Sequence, residues 1–94
     1  MVIEVYGKKD CTLCESAKKK LAMLLKKWEL QDSVEVDFMD METEYGAAEG
    51  DFHDVFDIPS VLLKGADDRV LGRWDGKPPS SDELGEKLAV KTAA

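Results

Sequence analysis

Val2-Ile3-Glu4-Val5-Tyr6-Gly7-Lys8-Lys9-Asp10-Cys11-Thr12-Leu13-Cys14 is the stretch whose reading decides the fold. Its first five residues are β-branched, aromatic and mostly apolar, which is strand composition. Gly7 to Asp10 form a loop. Leu13, Ala17, Leu21, Leu24 and Trp28 then recur at helical spacing, with Leu25 widening the face, while Lys18, Lys19, Lys20, Lys26 and Lys27 lie off that stripe or at its edges. The stripe predicts a helix with Leu13 through Trp28 turned to the core. Thr12 and Glu15 fit a capping box, and Asp10 is a competing cap. The chain has two cysteines, and both sit at this helix mouth. A helix N-terminus offers unpaired N–H groups and about +0.5 of partial charge, which favours a thiolate. Such settings lower a cysteine pKa from about 8.5 to roughly 3.5–7.5. The second thiol, one turn on, is close enough to attack a mixed disulfide on the first.

The remaining elements follow by the same patterns. Val34 to Met39 alternates apolar and polar and reads as a second strand. Asp40 caps a weaker helix running to about Phe56, with Gly46 and Gly50 inside it at a cost of about 1 kcal/mol each. Ile58-Pro59-Ser60 is a break. Ser60 to Lys64 is a third strand, Gly65 to Asp68 a turn, and Arg69 to Trp74 a fourth strand, so the last two form a hairpin. Pro78-Pro79 separate it from a final helix with a Ser80–Glu83 capping box and Leu84, Leu88 and the Lys91 stem on its inner side. The order is βαβαββα. Crossings through a helix require parallel pairing and the hairpin antiparallel pairing. The expectation is one α/β domain over 1–94: a mixed four-stranded sheet flanked by three helices.

Bulk properties narrow the function classes. Ninety-four residues suit one domain, and the chain is 44% hydrophobic and 35% charged, as in an ordinary soluble protein. No run approaches the ~18 apolar residues of a membrane span. A strand beginning at Val2 leaves no room for a signal peptide. Two cysteines make no disulfide framework, so a reducing, cytoplasmic setting is expected. The net charge of −7 is uneven: +3 over residues 1–30, −10 over 31–57, and 0 over 58–94. That balance argues against nucleic acid as a partner. The segment 31–57 holds ten acids and no Lys or Arg; it is either a solvated face or a device that steers a basic partner.

The element order, the C-x-x-C at the first strand-to-helix junction and the Ile58-Pro59 before the third strand together resemble the thioredoxin fold. In its small form the chain is similar to glutaredoxin and glutaredoxin-like proteins, on Ile3 through Cys14 and on Val55-Phe56-Asp57-Ile58-Pro59-Ser60-Val61. The resemblance implies a thiol–disulfide oxidoreductase with Cys11 as the attacking thiol and Cys14 as the resolving thiol. It implies a cis Pro59 facing the pair, with the Ile58 backbone free to pair with an extended substrate, and Lys8 beside the Cys11 thiolate or a substrate carboxylate. Thr12 and Leu13 fill the central dipeptide and complete the substrate-binding set. Glutaredoxins usually have Pro and an aromatic there, and thioredoxins Gly and Pro; neither pair is present. Glutathione recognition would use a basic residue around the second helix and a Gly-Gly-x-Asp-like segment after strand four. Residues 31–57 offer no cation, and Gly72-Arg73-Trp74-Asp75-Gly76-Lys77 stands in the second place. The expected partners are a disulfide-bearing protein or small molecule and, as electron donor, glutathione or a reductase. No bound cofactor, no resident metal and a monomeric state are expected.

A second reading uses the same cysteines as a copper or zinc module. Zinc needs two further ligands, and His53 is the one histidine, with no second pair at ligand spacing. A copper carrier would want a strand where residues 40–56 read as helix. His53 reads as a surface or helix-end residue. Met23, Met39 and Met41 read as fillers, Tyr6 as packed in or beside the first strand, and Trp28 and Trp74 as core edges, Trp74 being also a candidate partner contact. A redox-inert interaction domain would be expected to lack one of the two cysteines.

Overall fold

The computed structural model describes residues 1–89. Along the chain run β1 (Val2–Gly7), α1 (Thr12–Lys27), β2 (Glu35–Asp40), α2 (Glu44–Phe52), β3 (Ser60–Lys64), β4 (Val70–Trp74) and α3 (Ser81–Lys87). The four strands form one sheet in the order β2-β1-β3-β4. β1 pairs parallel with β2, while β3 runs antiparallel to both β1 and β4. Lys91 lies outside the described residues. None of the described helices is long and apolar enough to cross a membrane.

β1 is central, and its period-2 alternation feeds two cores. Ile3 and Val5 point to one face, with Leu21, Leu24 and Leu25 of α1, Leu84 of α3, and Val61, Leu63 and Trp74 of the hairpin. Tyr6 points to the other, with Met39, Val55 and Leu62. Thus α1 and α3 cover one face and α2 the other.

Glu4 shares the second face. It is buried, and its Oε1 accepts from Tyr6 OH at 2.8 Å and from Lys64 Nζ at 2.9 Å. Burial first, and then the Glu4 carboxylate, push the Tyr6 hydroxyl far above its ordinary pKa. The carboxylate is therefore held between a neutral donor and a cation.

Five sequence expectations change. The cap of α1 is Cys11, not Thr12 or Asp10: Cys11 is extended (φ −103°, ψ 108°) and its sulfur accepts from Cys14 N–H. Leu13 is 66% exposed, and Cys14 takes the buried place on the helix face. The cap of α2 is Thr43, whose Oγ1 accepts from Gly46 N–H at 3.0 Å. Asp40 is still paired with Gly7 in the sheet, and its carboxylate closes a turn onto Glu42 N–H. The helix stops at Phe52, four residues early.

The fifth change is topological. The crossing through α2 is not parallel, because α2 does not travel back along the sheet. A Cβ on Gly46 would collide with the Asp40 backbone, and one on Gly50 would lie 2.5 Å from the Met41 methyl. The helix is thereby pinned at the C-terminal end of β2. β3 starts from that same end, with Ser60 opposite Tyr6, and runs the other way. The two glycines that weaken the helical reading are what let the helix sit there.

The Ser80–Glu83 capping box forms in full. Trp74 Nε1–H also donates to Glu83 Oε2 at 3.0 Å. That bond first, and the Ser80 groups next, hold the Glu83 carboxyl below the ordinary range. A depressed carboxyl pKa adds stability above the unfolded value that is lost as pH falls through the folded one. The stability gap between wild type and Glu83→Gln should be complete above about pH 5 and close on acidification. For the buried pair, Lys64→Met should cost about 3–5 kcal/mol in urea unfolding, and Glu4→Gln added to it should restore part of the loss.

Candidate functional site

β1 ends at Gly7, and Met41 N–H bonds to the Gly7 carbonyl at 2.8 Å. The chain then turns through Lys8, Lys9 and Asp10, all exposed, and Cys11 N–H closes the turn on the Lys8 carbonyl at 3.3 Å. That turn delivers Cys11 to the N-cap of α1. Cys11 and Cys14 are joined as a disulfide with their Cα atoms 5.2 Å apart. Cys11 Sγ accepts from Cys14 N–H at 3.1 Å. In the dithiol form the same N–H would meet the Cys11 sulfur at the positive end of the helix, which favours its thiolate.

The two sulfurs differ in access. Cys11 is half-buried, while Cys14 is fully enclosed. Cys14 rests on Gly7: a Cβ there would stand 2.6 Å from Cys14 Sγ, 2.9 Å from Cys14 Cβ and 3.2 Å from Phe38 Cε1. The Phe38 ring in turn lies under Lys18 Nζ, 4.4 Å from its centroid, and Lys18 pairs with Glu15 at 3.0 Å. Gly7 was legible in sequence only as the start of a loop. Its role shows once the helix is laid on the sheet.

The Ile58–Pro59 bond is cis. Ser60 pairs with Tyr6, so Pro59 comes next on the ladder, beside Gly7. Cys14 and Pro59 therefore flank the same glycine. Ile58 is half-buried, and its N–H and C=O take no hydrogen-bond partner among the described residues. Of the sequence-derived set, Cys11, Thr12, Leu13, Ile58 and Pro59 gather at the C-terminal end of β1, with Leu13 and Thr12 exposed. Lys8 is in the turn leading into Cys11, and no contact joins its amine to either sulfur among the described residues.

The loop before Pro59 is tied down. Arg73 donates to the carbonyls of His53 and Asp54, the latter at 2.8 Å, and to both oxygens of Asp75 at 3.0 Å. Ser60 Oγ donates to the Asp57 carbonyl and to Asp75 Oδ1. Arg73 thus places a cation on the carbonyls of the C-cap residue of α2 and the residue after it, where a cation belongs. Gly72 leaves room for the Trp74 ring, since a Cβ would lie 2.7 Å from its Cη2. The Gly72–Asp75 segment is thus occupied with structural work.

Two clefts lie elsewhere: one of about 410 Å³ between β4 and α3, lined by Trp74, Glu83 and Lys87 among others, and one of about 300 Å³ beside β2. No group of three or more His, Cys, Asp or Glu side chains that could hold a metal occurs among the described residues. Among the described residues the cysteine pair thus lacks the further ligands of a zinc site.

Comparison with known proteins matches this geometry. Thioredoxin 1 from Thermosipho africanus superimposes with a TM-score of 0.71 at 17% identity, over 95% of this chain and 91% of that one. Thioredoxin-2 of the malaria parasite gives 0.72 at 17% identity, over 94% and 80%. A thioredoxin-fold protein from Helicobacter pylori gives 0.69 at 14% identity, over 97% and 73%. The chain has the thioredoxin fold. No protein-family model and no curated protein sequence matches it.

A side chain at position 7 should dislodge Cys14. Gly7→Val is expected to cost about 1–3 kcal/mol by overpacking and to slow closure of the Cys11–Cys14 disulfide, read by thiol titration after oxidation.

Proposed function

We propose that the protein is a thiol–disulfide oxidoreductase of glutaredoxin-like size. The observation that carries this reading is the unequal pair: a half-exposed Cys11 bonded to a fully enclosed Cys14 at a helix N-terminus beside Pro59. The Cys11 thiolate attacks one sulfur of a substrate disulfide. A Cys11–substrate disulfide forms, and the other substrate sulfur leaves as a thiolate. Cys14, deprotonated, then attacks Cys11 Sγ. The Cys11–Cys14 disulfide closes, the second substrate thiolate departs, and the substrate has gained two electrons. The enclosure of Cys14 supports this order, since its sulfur meets Cys11 and not solvent. The unpartnered Ile58 backbone supports docking of an extended substrate strand across Pro59.

Reduction of the Cys11–Cys14 disulfide draws on glutathione or on a thioredoxin-reductase-like enzyme, and the surroundings favour the enzyme. Arg73, the cation of the Gly72–Asp75 segment, is committed to Asp75 and to the end of α2. A glutathione carboxylate would miss charge-assisted bonds there worth about 1.5–3 kcal/mol each.

Site-resolved alkylation of the reduced protein against pH should show Cys11 reacting well below pH 8.5, the model thiol value, and Cys14 far more slowly. Cys14 reacting first at neutral pH would reverse the roles. A Cys14→Ser variant should accumulate mixed disulfides through Cys11. Insulin reduction coupled to a thioredoxin reductase should outpace turnover of a glutathione mixed disulfide; the opposite ranking would make glutathione the donor.

A further inference from the structure

The end of α2 and the loop that leads from it into Pro59 carry two phenylalanines in water. Phe52 is 77% exposed and Phe56 85%, well beyond what two large apolar side chains need for a core role. Phe52 is packed on a neighbour rather than standing free. Phe52 meets the His53 ring edge-on at 4.9 Å, and His53 meets the buried Tyr6 ring edge-on at 6.5 Å. The backbone between the two is clamped by Arg73 on the His53 and Asp54 carbonyls. Phe56 lies two residues before Ile58, so its Cα is within about 8 Å of the Ile58 Cα. Across the site Leu13, 66% exposed, offers a third apolar group between the cysteines.

The charges around these side chains have one sign. Glu49, Asp51, Asp54 and Asp57 surround Phe52 and Phe56 in sequence, and no Lys or Arg falls between 31 and 57. Arg73 reaches this loop, but its guanidinium is matched by Asp75. On the other side of Cys11 stand Lys8 and Lys9, both exposed. The rim is acidic and aromatic on the Pro59 side and basic on the approach to Cys11.

Exposed aromatic groups close to a reactive centre are what interface anchors look like, and the acidic groups around them select partners by charge. We infer that Phe52 and Phe56 form a docking surface for a basic polypeptide segment carrying an exposed cystine. Apolar side chains of that segment cover Phe52, Phe56 and Leu13, and its Lys and Arg residues face Asp51, Asp54 and Asp57. This names the substrate class for the oxidoreductase reading and rests on it for the chemical step; the docking itself does not need the chemistry.

Two measurements separate docking from chemistry. The first uses the oxidised protein and a lysine- and leucine-flanked peptide with serine in place of cysteine, followed by chemical-shift mapping. Shifts are expected at Phe52, Phe56 and Leu13. Affinity should fall in high salt, and about tenfold in Phe52→Ser/Phe56→Ser, while a glutamate-flanked counterpart should leave the spectrum unchanged. Equal binding of the two peptides, shifts confined to other surfaces, or no binding of the basic peptide would overturn the inference. Asp51→Asn/Asp54→Asn gives a second variant, in which the salt dependence should flatten. The second measurement compares kcat/KM for the basic cystine peptide with that for a small uncharged disulfide. The ratio should fall about tenfold in Phe56→Ser. A constant ratio would also overturn the inference. Loss of exchange on both substrates in the wild type, with peptide binding intact, would instead sink the oxidoreductase reading and leave the docking surface standing.

Discussion

The contact of Cys14 with the backbone of Gly7 is the constraint on which the site depends. A helix can lie this close to the end of a strand only where the strand offers no Cβ, and here one would stand 2.6 Å from the Cys14 sulfur. The contact seats the first turn of α1 over the end of β1. It encloses one sulfur and leaves the other at the surface, although the two cysteines stand three positions apart in sequence. It also sets the Cys11–Cys14 pair beside Pro59, because the β1–β3 ladder places Pro59 next to the same glycine. The asymmetry of the two thiols is thus a packing property rather than a property of the C-x-x-C spacing.

Close backbone approach recurs on the other side of the sheet. Gly46 and Gly50 let α2 settle against Asp40 and Met41, and this short helix contributes little apolar surface of its own. Its position is held by polar means: the Thr43 cap at one end and Arg73 on the carbonyls just past its last residue at the other. A helix fixed at its ends can turn Tyr45 and Phe52 to solvent at little cost to the fold. The buried Glu4–Lys64–Tyr6 group beneath it belongs to the same economy of polar contacts. Pairs of this kind add little net stability over an apolar core, but they disfavour registers in which one charge would be buried alone.

Arg73 shows how one residue can be misassigned when only its place in a motif is considered. It stands where glutaredoxin-like chains have a glycine-rich ligand segment, and by position it invites a binding role. In the fold its guanidinium spans Asp75 and two carbonyls of the loop before Pro59. It determines the shape of that loop and so the presentation of Ile58 and Phe56.

The sequence by itself determined the element order, the hairpin, the Ser80–Glu83 cap, and the placing of both cysteines and Pro59 at element boundaries. These follow from local rules: period-2 and period-3.6 patterns, turn chemistry, and capping geometry within four residues. What it left undecided, or gave wrongly, depends on contacts between distant segments. Cys11 displaced Thr12 as the cap, and Cys14 displaced Leu13 on the buried face, because Gly7 receives a sulfur there. The second crossing reversed direction because Gly46 and Gly50 dock α2 at one end of β2. Helical and strand periodicities record which face of an element is apolar; they do not record how closely two backbones can approach, and in this protein that distance, set by three glycines, decided the topology and the site.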